Sequence, residues 1–155
     1  MQDIDRMLDD ARQRPLTGWD VSYHGRITYT QPWDLAAIVA AQARTSATLL
    51  DLGTGGGEWL SRLPNRPANT KATEGWPPNV PIARDRLAPL GIEVFGVEAA
   101  PINLEQTPAT TIGALPFSDG AFDLVTSRNE SYLPHEVKRI LTDDGRFITQ
   151  QVAGE

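Results

Sequence analysis

Four glycines in five positions, Gly53 and Gly55–Gly57, follow directly on a short apolar run, Ala47–Leu52 (ATLLDL). A nearly continuous run of that length reads as a strand covered on both faces. The stretch from Glu58 to about Leu63 reads as a helix. A chain passing from a buried strand into a helix through so many glycines needs positive φ, or a ligand close to bare backbone. In an open α/β sheet such a turn lies at the carboxyl end of its strand, where ligands bind. Four glycines alone would indicate a tight turn; in this context they mark a binding loop.

The rest of the chain repeats the alternation. Residues 3–13 carry Ile4, Met7, Leu8 and Ala11 at helical spacing and end before Pro15 and Gly18. Pro32 suits the first turn of a helix running to about Arg44, with Leu35, Ile38 and Val39 on its buried face. Asn69–Glu74 is the second strand. Asn79 is placed to cap a helix that reaches Leu90, with Pro81 in its first turn and Gly91 just past its end. Ile92–Glu98 and Phe122–Ser127 are the third and fourth strands, Pro134–Leu141 a helix, Asp144-Gly145 a turn and Arg146–Val152 the fifth strand. Strands alternating with helices predict an α/β fold with a doubly wound, mostly parallel sheet. Residues 1–46 read as a helical extension or lid, and residues 47–155 as a single core. Within the extension, Trp19, Tyr23, His24 and Tyr29 suit either a cover over the site or an amphipathic wrap over the sheet.

Several function classes fall away. With no cysteine and only His24 and His135, thiolate and histidine-rich metal sites are excluded. A net charge of -6 disfavours a phosphate backbone as substrate. No apolar run approaches the roughly 20 residues of a membrane span. The opening MQDIDRMLDD is unlike a secretory signal, so a cytoplasmic location is expected.

The loop reads Asp51-Leu52-Gly53-Thr54-Gly55-Gly56-Gly57-Glu58. A nicotinamide fingerprint starting at Gly53 requires a glycine where Glu58 stands. A phosphate loop requires Lys-Ser/Thr after Gly57, and Glu58 would repel a pyrophosphate. The spacing acidic-x-Gly-x-Gly-x-Gly resembles motif I of the class I, Rossmann-like S-adenosylmethionine-dependent methyltransferases, whose cofactor has no phosphate. The resemblance implies that Gly53, Gly55 and Gly57, with Thr54 between them, lie against the cofactor's methionine and ribose portions. It implies that Asp51 holds the loop and the amino group, and that Glu74 accepts hydrogen bonds from the ribose hydroxyls. Trp76 is then a candidate for the adenine face, or else a core or rim aromatic.

Leu115-Pro116-Phe117-Ser118-Asp119-Gly120-Ala121-Phe122-Asp123 resembles the family's lead into strand four, with Asp123 read as scaffold. The family's aspartate ahead of Leu-Pro-Phe is missing; Ala109–Ala114 holds no acid, which leaves backbone around Ile112 and Gly113 for the adenine. After strand four, Arg128 is assigned to the cofactor site. Arg128, Glu130 and His135 are candidates to line a substrate pocket. Asn129 and Tyr132 share the spacing of the Asn-Pro-Pro-Tyr motif of amino-methylating relatives, with different residues between. Tyr132 and His135 are the candidate catalytic groups, and no metal is expected.

The resemblance spans residues 47–152 and implies transfer of a methyl group to a small-molecule acceptor. The family continues past strand five with a helix and two more strands. Their absence predicts a truncated form, or a short member that pairs its fifth strand in a homodimer. The competing readings are a non-catalytic cofactor-binding module and a nicotinamide oxidoreductase, the latter disfavoured by Glu58.

Overall fold

The structure, a computed structural model, describes residues 2–13, 17–18, 31–100 and 114–151. Trp19, Tyr23, His24, Tyr29, Ile112 and Gly113 lie outside the described residues. In chain order the elements are α1 (Gln2–Gln13), α2 (Leu35–Ala43), β1 (Thr48–Leu52), α3 (Glu58–Arg62), β2 (Asn69–Thr73) and α4 (Asn79–Leu87). After a 3-10 turn at Ala88–Leu90 come β3 (Glu93–Phe95), β4 (Phe122–Arg128), α5 (Pro134–Ile140) and β5 (Leu141–Gln150). The five strands form one sheet in the order β3-β2-β1-β4-β5, and every neighbouring pair is parallel. This is the doubly wound, Rossmann-like arrangement, with the direction of winding reversing between β1 and β4.

Alternation along the strands sorts the core into two layers. Leu49 and Leu124 pack with Val39, Leu60 and Leu87 from α2, α3 and α4. Leu50, Leu52 and Val125 point the other way, against Val137 and Ile140 of α5 and against Leu115. Asp123 fastens the entry to the two central strands. Its carboxylate accepts the Ala47 and Thr48 backbone N–H groups at 2.8 and 3.0 Å and the Thr48 hydroxyl at 3.2 Å.

Several boundaries differ from the sequence expectation. Helix α2 starts at Leu35, not at Pro32, because the Asp34 side chain accepts the Ala37 N–H at 3.1 Å and caps it. Its buried face is Val39, Ala40 and Ala43, while Ile38 is 48% exposed, so small alanines meet the sheet. Asn79 is the first residue of α4 and not its cap; its Oδ1 accepts the Gly18 N–H at 2.6 Å. Strand β3 ends at Phe95 because Val97 N–H turns back to the Phe95 carbonyl at 3.0 Å. The Asp144-Gly145 turn lies inside β5 as an irregularity, between the pairs Phe122↔Leu141 and Leu124↔Arg146. Ile4, Met7 and Leu8, the apolar positions of the amphipathic α1, are exposed. Among the described residues no helix is long and apolar enough to cross a membrane.

Candidate functional site

The reversal of winding leaves a crevice beyond the carboxyl ends of β1 and β4, the place where sheets of this kind take ligands. The glycine loop forms one wall. Gly53, Gly55 and Gly57 all adopt left-handed backbone, with φ of 65°, 64° and 77°. The loop is tied to the end of β2: Gly53 N–H donates to the Thr73 hydroxyl at 3.2 Å and Thr54 N–H to the Thr73 carbonyl at 2.9 Å. Arg86 of α4 holds it from behind, donating to the Gly56 carbonyl and pairing with Glu58 at 2.7 Å.

Glu74 follows β2 and is only 5% exposed. Its two oxygens accept the Gly55 N–H at 2.6 Å and the Trp76 N–H at 2.8 Å. Burial pushes its carboxyl above the usual glutamate value, against the pull of those backbone bonds. The side chain therefore shapes the loop while one face borders a cavity of about 420 Å³. The same cavity is lined by Gly53, Gly55, Trp76 and Glu98, and by Arg128 and Glu130 at the end of β4. Trp76 is 52% exposed at its rim.

Asp51 sits behind this wall, 4% exposed. Its register partner in β4 is Thr126, whose hydroxyl donates to Asp51 Oδ1 at 2.8 Å. Burial raises its carboxyl to about 6, with the Thr126 hydrogen bond opposing. A raised folded value means that the stabilising contribution is complete below the ordinary 3.8 and is lost as pH rises through about 6. Asp51→Asn, which can still accept from Thr126, is expected to flatten the stability profile between about pH 4 and 6. At pH 8 it should stabilise the protein by about 1–2 kcal/mol. Urea midpoints across that range check this; an unchanged slope would show that Asp51 does not titrate there.

The structure brings five of the sequence-assigned cofactor residues, Gly53, Gly55, Glu74, Trp76 and Arg128, to the cavity wall. Asp51, Thr54 and Gly57 stand behind it. Gly57 caps α3, and a Cβ there would meet Leu87 Cγ at 2.9 Å, so its packing partner is α4. Ile112 and Gly113 lie outside the described residues. Neither candidate catalytic group lines the cavity: His135 is exposed at the start of α5, and Tyr132 packs edge-on against Phe147 at 4.7 Å. Asp123 is scaffold, as its three bonds to Ala47 and Thr48 require.

Sequence reasoning missed Glu98, Gly75 and Gly18. A Cβ on Gly75 would lie 2.5 Å from Glu98 Cγ, so the ends of β2 and β3 close on each other there. The signal for Glu98 was available: it stands at the carboxyl end of the expected third strand. Among the described residues no group of three His, Cys, Asp or Glu side chains is placed to hold a metal ion.

Residues 50–149 match the family described as methyltransferase domain. Over 126 residues the chain is 34% identical to demethylmenaquinone methyltransferase from Thermus thermophilus, a match covering 75% of this chain and 52% of that protein. The chain thus spans about half the length of that curated relative. Among solved structures, a S-adenosylmethionine-dependent methyltransferase from Thiobacillus denitrificans in complex with S-adenosylhomocysteine superposes with a TM-score of 0.54 at 18% identity, covering 83% of this chain and 52% of that one. Geranyl diphosphate C-methyltransferase from Streptomyces coelicolor gives a TM-score of 0.54 at 17% identity, over 73% of this chain and 43% of that one. Those two likenesses speak to the fold. With the family match laid over the five parallel strands and their glycine loop, the chain belongs to the class I S-adenosylmethionine-dependent methyltransferases, and S-adenosylmethionine is its cofactor.

Proposed function

We propose that this protein transfers a methyl group to a small-molecule acceptor, with the cofactor held in the cavity between the glycine loop and Glu74. The observation that carries this reading is the cavity itself. Its volume of about 420 Å³ suits a nucleoside-sized ligand. Its floor is left-handed glycine, where a side chain would stand in a ligand's way. Its ionisable lining, Glu74, Glu98 and Glu130 against Arg128, is acidic, which suits a sulfonium and disfavours a phosphate.

When bound, the cofactor supplies an electrophilic methyl group on sulfur. The chain's own residues bind, orient and exclude water. Gly53 and Gly55 would hold the methionine portion, with Asp51 behind them keeping the loop in place. Glu74 has lone pairs beyond those used by Gly55, Trp76 and Asn79, and these would accept from the ribose hydroxyls. Trp76, at the rim, would take the base, and Arg128 would border the acceptor.

We read residues 1–46 as an extension to the core that begins at residue 47. Two described parts of it support this: α2 packs on the sheet through Val39, Ala40 and Ala43, and Gly18 borders the cavity and donates to Asn79. A small-molecule acceptor is supported by the names of two similar proteins, one acting on demethylmenaquinone and one on geranyl diphosphate.

Calorimetric titration with S-adenosylmethionine, S-adenosylhomocysteine and NAD tests the cofactor site. Binding of both sulfur compounds and not of NAD is expected; binding of NAD alone would end the reading. Incubation with methyl-labelled cofactor and either demethylmenaquinol or a metabolite extract tests transfer. Label entering a small organic product is expected. Tight binding without transfer to anything would favour a non-catalytic cofactor-binding module.

A further inference from the structure

Glu130 differs from the other acids of the cavity. Its backbone is fixed: its carbonyl accepts from the Ser127 hydroxyl at 3.2 Å and from Gln151 Nε2 at 3.1 Å. Asn129 before it is left-handed, with φ of 58°, and its N–H is bonded to the Gln150 carbonyl at 2.8 Å. This pinned turn sends the Glu130 side chain back over the glycine loop. A Cβ on Gly53 would come within 2.4 Å of its Cγ and 2.7 Å of its Cδ. Glu74 has both oxygens engaged by backbone N–H groups, whereas no described residue donates to the Glu130 carboxylate.

The charged groups around it come from four strand ends. Glu74 follows β2 and Glu98 follows β3, and both repel its charge. Arg128 of β4 lies over the Trp59 ring at 5.8 Å and is drawn to Asp51 of β1, behind the loop. Burial first, and then the two glutamates, push the Glu130 carboxyl to about 7. Near neutral pH a cation arriving in the cavity would favour its ionised form.

We propose that Glu130 is the residue through which this site tells the sulfonium cofactor from the neutral thioether left after methyl transfer. The two ligands have the same nucleoside and amino-acid parts and differ by one methyl group and one positive charge. A carboxylate to which no described residue donates, lying on the loop that cups them, reads that charge. The proposal rests on the methyltransferase reading of the cavity. It gives Glu130 a part in releasing product, because the attraction fades once the sulfur is neutral.

Calorimetry on the intact chain with S-adenosylmethionine and S-adenosylhomocysteine, at pH 6 and pH 8, tests it. The preference for the sulfonium should be about tenfold greater at pH 8, the size of one screened charge pair. At pH 7, titrations in two buffers of different ionisation enthalpy should show proton release with S-adenosylmethionine and little with S-adenosylhomocysteine. Glu130→Gln should remove both effects while leaving S-adenosylhomocysteine affinity within about twofold, since that ligand offers no sulfonium to the lost charge. A preference that is equal at both pH values in the wild type, or unchanged in Glu130→Gln, overturns the proposal. If both ligands bind with a flat ratio, only the role of Glu130 fails. If neither binds, the assignment of the cavity fails and takes this inference with it.

Discussion

Replacing Gly53 by valine is expected to weaken S-adenosylmethionine binding by about a hundredfold or more, equivalent to at least about 2.7 kcal/mol. Two effects act together. The residue is left-handed, with φ of 65°, a region that a β-branched side chain enters only with strain. The added atoms would also stand in the cavity and against Glu130, 2.4 Å from its Cγ for the Cβ alone. The strain should lower stability by about 1–3 kcal/mol, which leaves a folded protein to titrate. Gly91→Ala is the matched control, since Gly91 has a φ of 72° with nothing within 4 Å of a Cβ. It should lose about 1 kcal/mol of stability and none of the affinity. Calorimetry with thermal unfolding reads both. Undiminished affinity in Gly53→Val would remove the loop from the site.

The largest loss of stability is expected at Arg139, far from the cavity. Its guanidinium donates to the Phe117 and Leu115 carbonyls at 2.7 and 3.1 Å and to both Glu136 oxygens at 2.8 Å. Glu136 is 7% exposed and also accepts the Leu115 N–H at 2.8 Å. The cluster fastens the Leu115–Phe117 segment onto α5. Arg139→Ala would strand a buried carboxylate and two carbonyls, at a loss of about 2–4 kcal/mol. The contact to Asp119 adds little, because that side chain is 83% exposed; Asp119→Ala should change stability by less than about 0.5 kcal/mol.

The hydrogen bonds from Arg139 hold the Glu136 carboxyl below the usual glutamate range. A depressed folded value stabilises above the ordinary value and is lost as pH falls through the folded one. The gap between wild type and Arg139→Ala should therefore narrow in acid, below about pH 4. Urea midpoints at pH 7 and pH 3.5 measure this, and a gap that is the same at both would show that the Glu136 charge is not what Arg139 secures.

The parts of this fold written in strand and loop chemistry were legible in the sequence. Thr48–Leu52 and Phe122–Arg128 are apolar enough to be central strands, and the glycines between Leu52 and Glu58 locate the crevice. What escaped depends on where distant segments meet. Glu98 enters the site only because β3 ends beside β2 and Gly75 admits it closely. Asn79 read as a cap from its neighbours in sequence, yet its partner, Gly18, is 61 residues away. Tyr132 and His135 follow the right strand, but Asn129 turns the backbone left-handed and sends Glu130 over the loop instead. Trp33, expected in the first turn of a helix, instead precedes α2 and donates to Gln150 Oε1 at 3.2 Å, 117 residues away at the end of β5.

The bonds between Asp123 and Thr48 span 75 residues, and the β1–β4 seam they start runs through the middle of the sheet. Pairing strands so far apart in sequence carries a large loop-closure entropy, which makes it a slow event in folding. The ligand crevice opens at the far end of the same seam. A nascent chain released before residue 128 has emerged would carry the glycine loop and Glu74 but lack the Arg128 and Glu130 side of the crevice, so the complete cofactor site should arise only once β4 has joined β1.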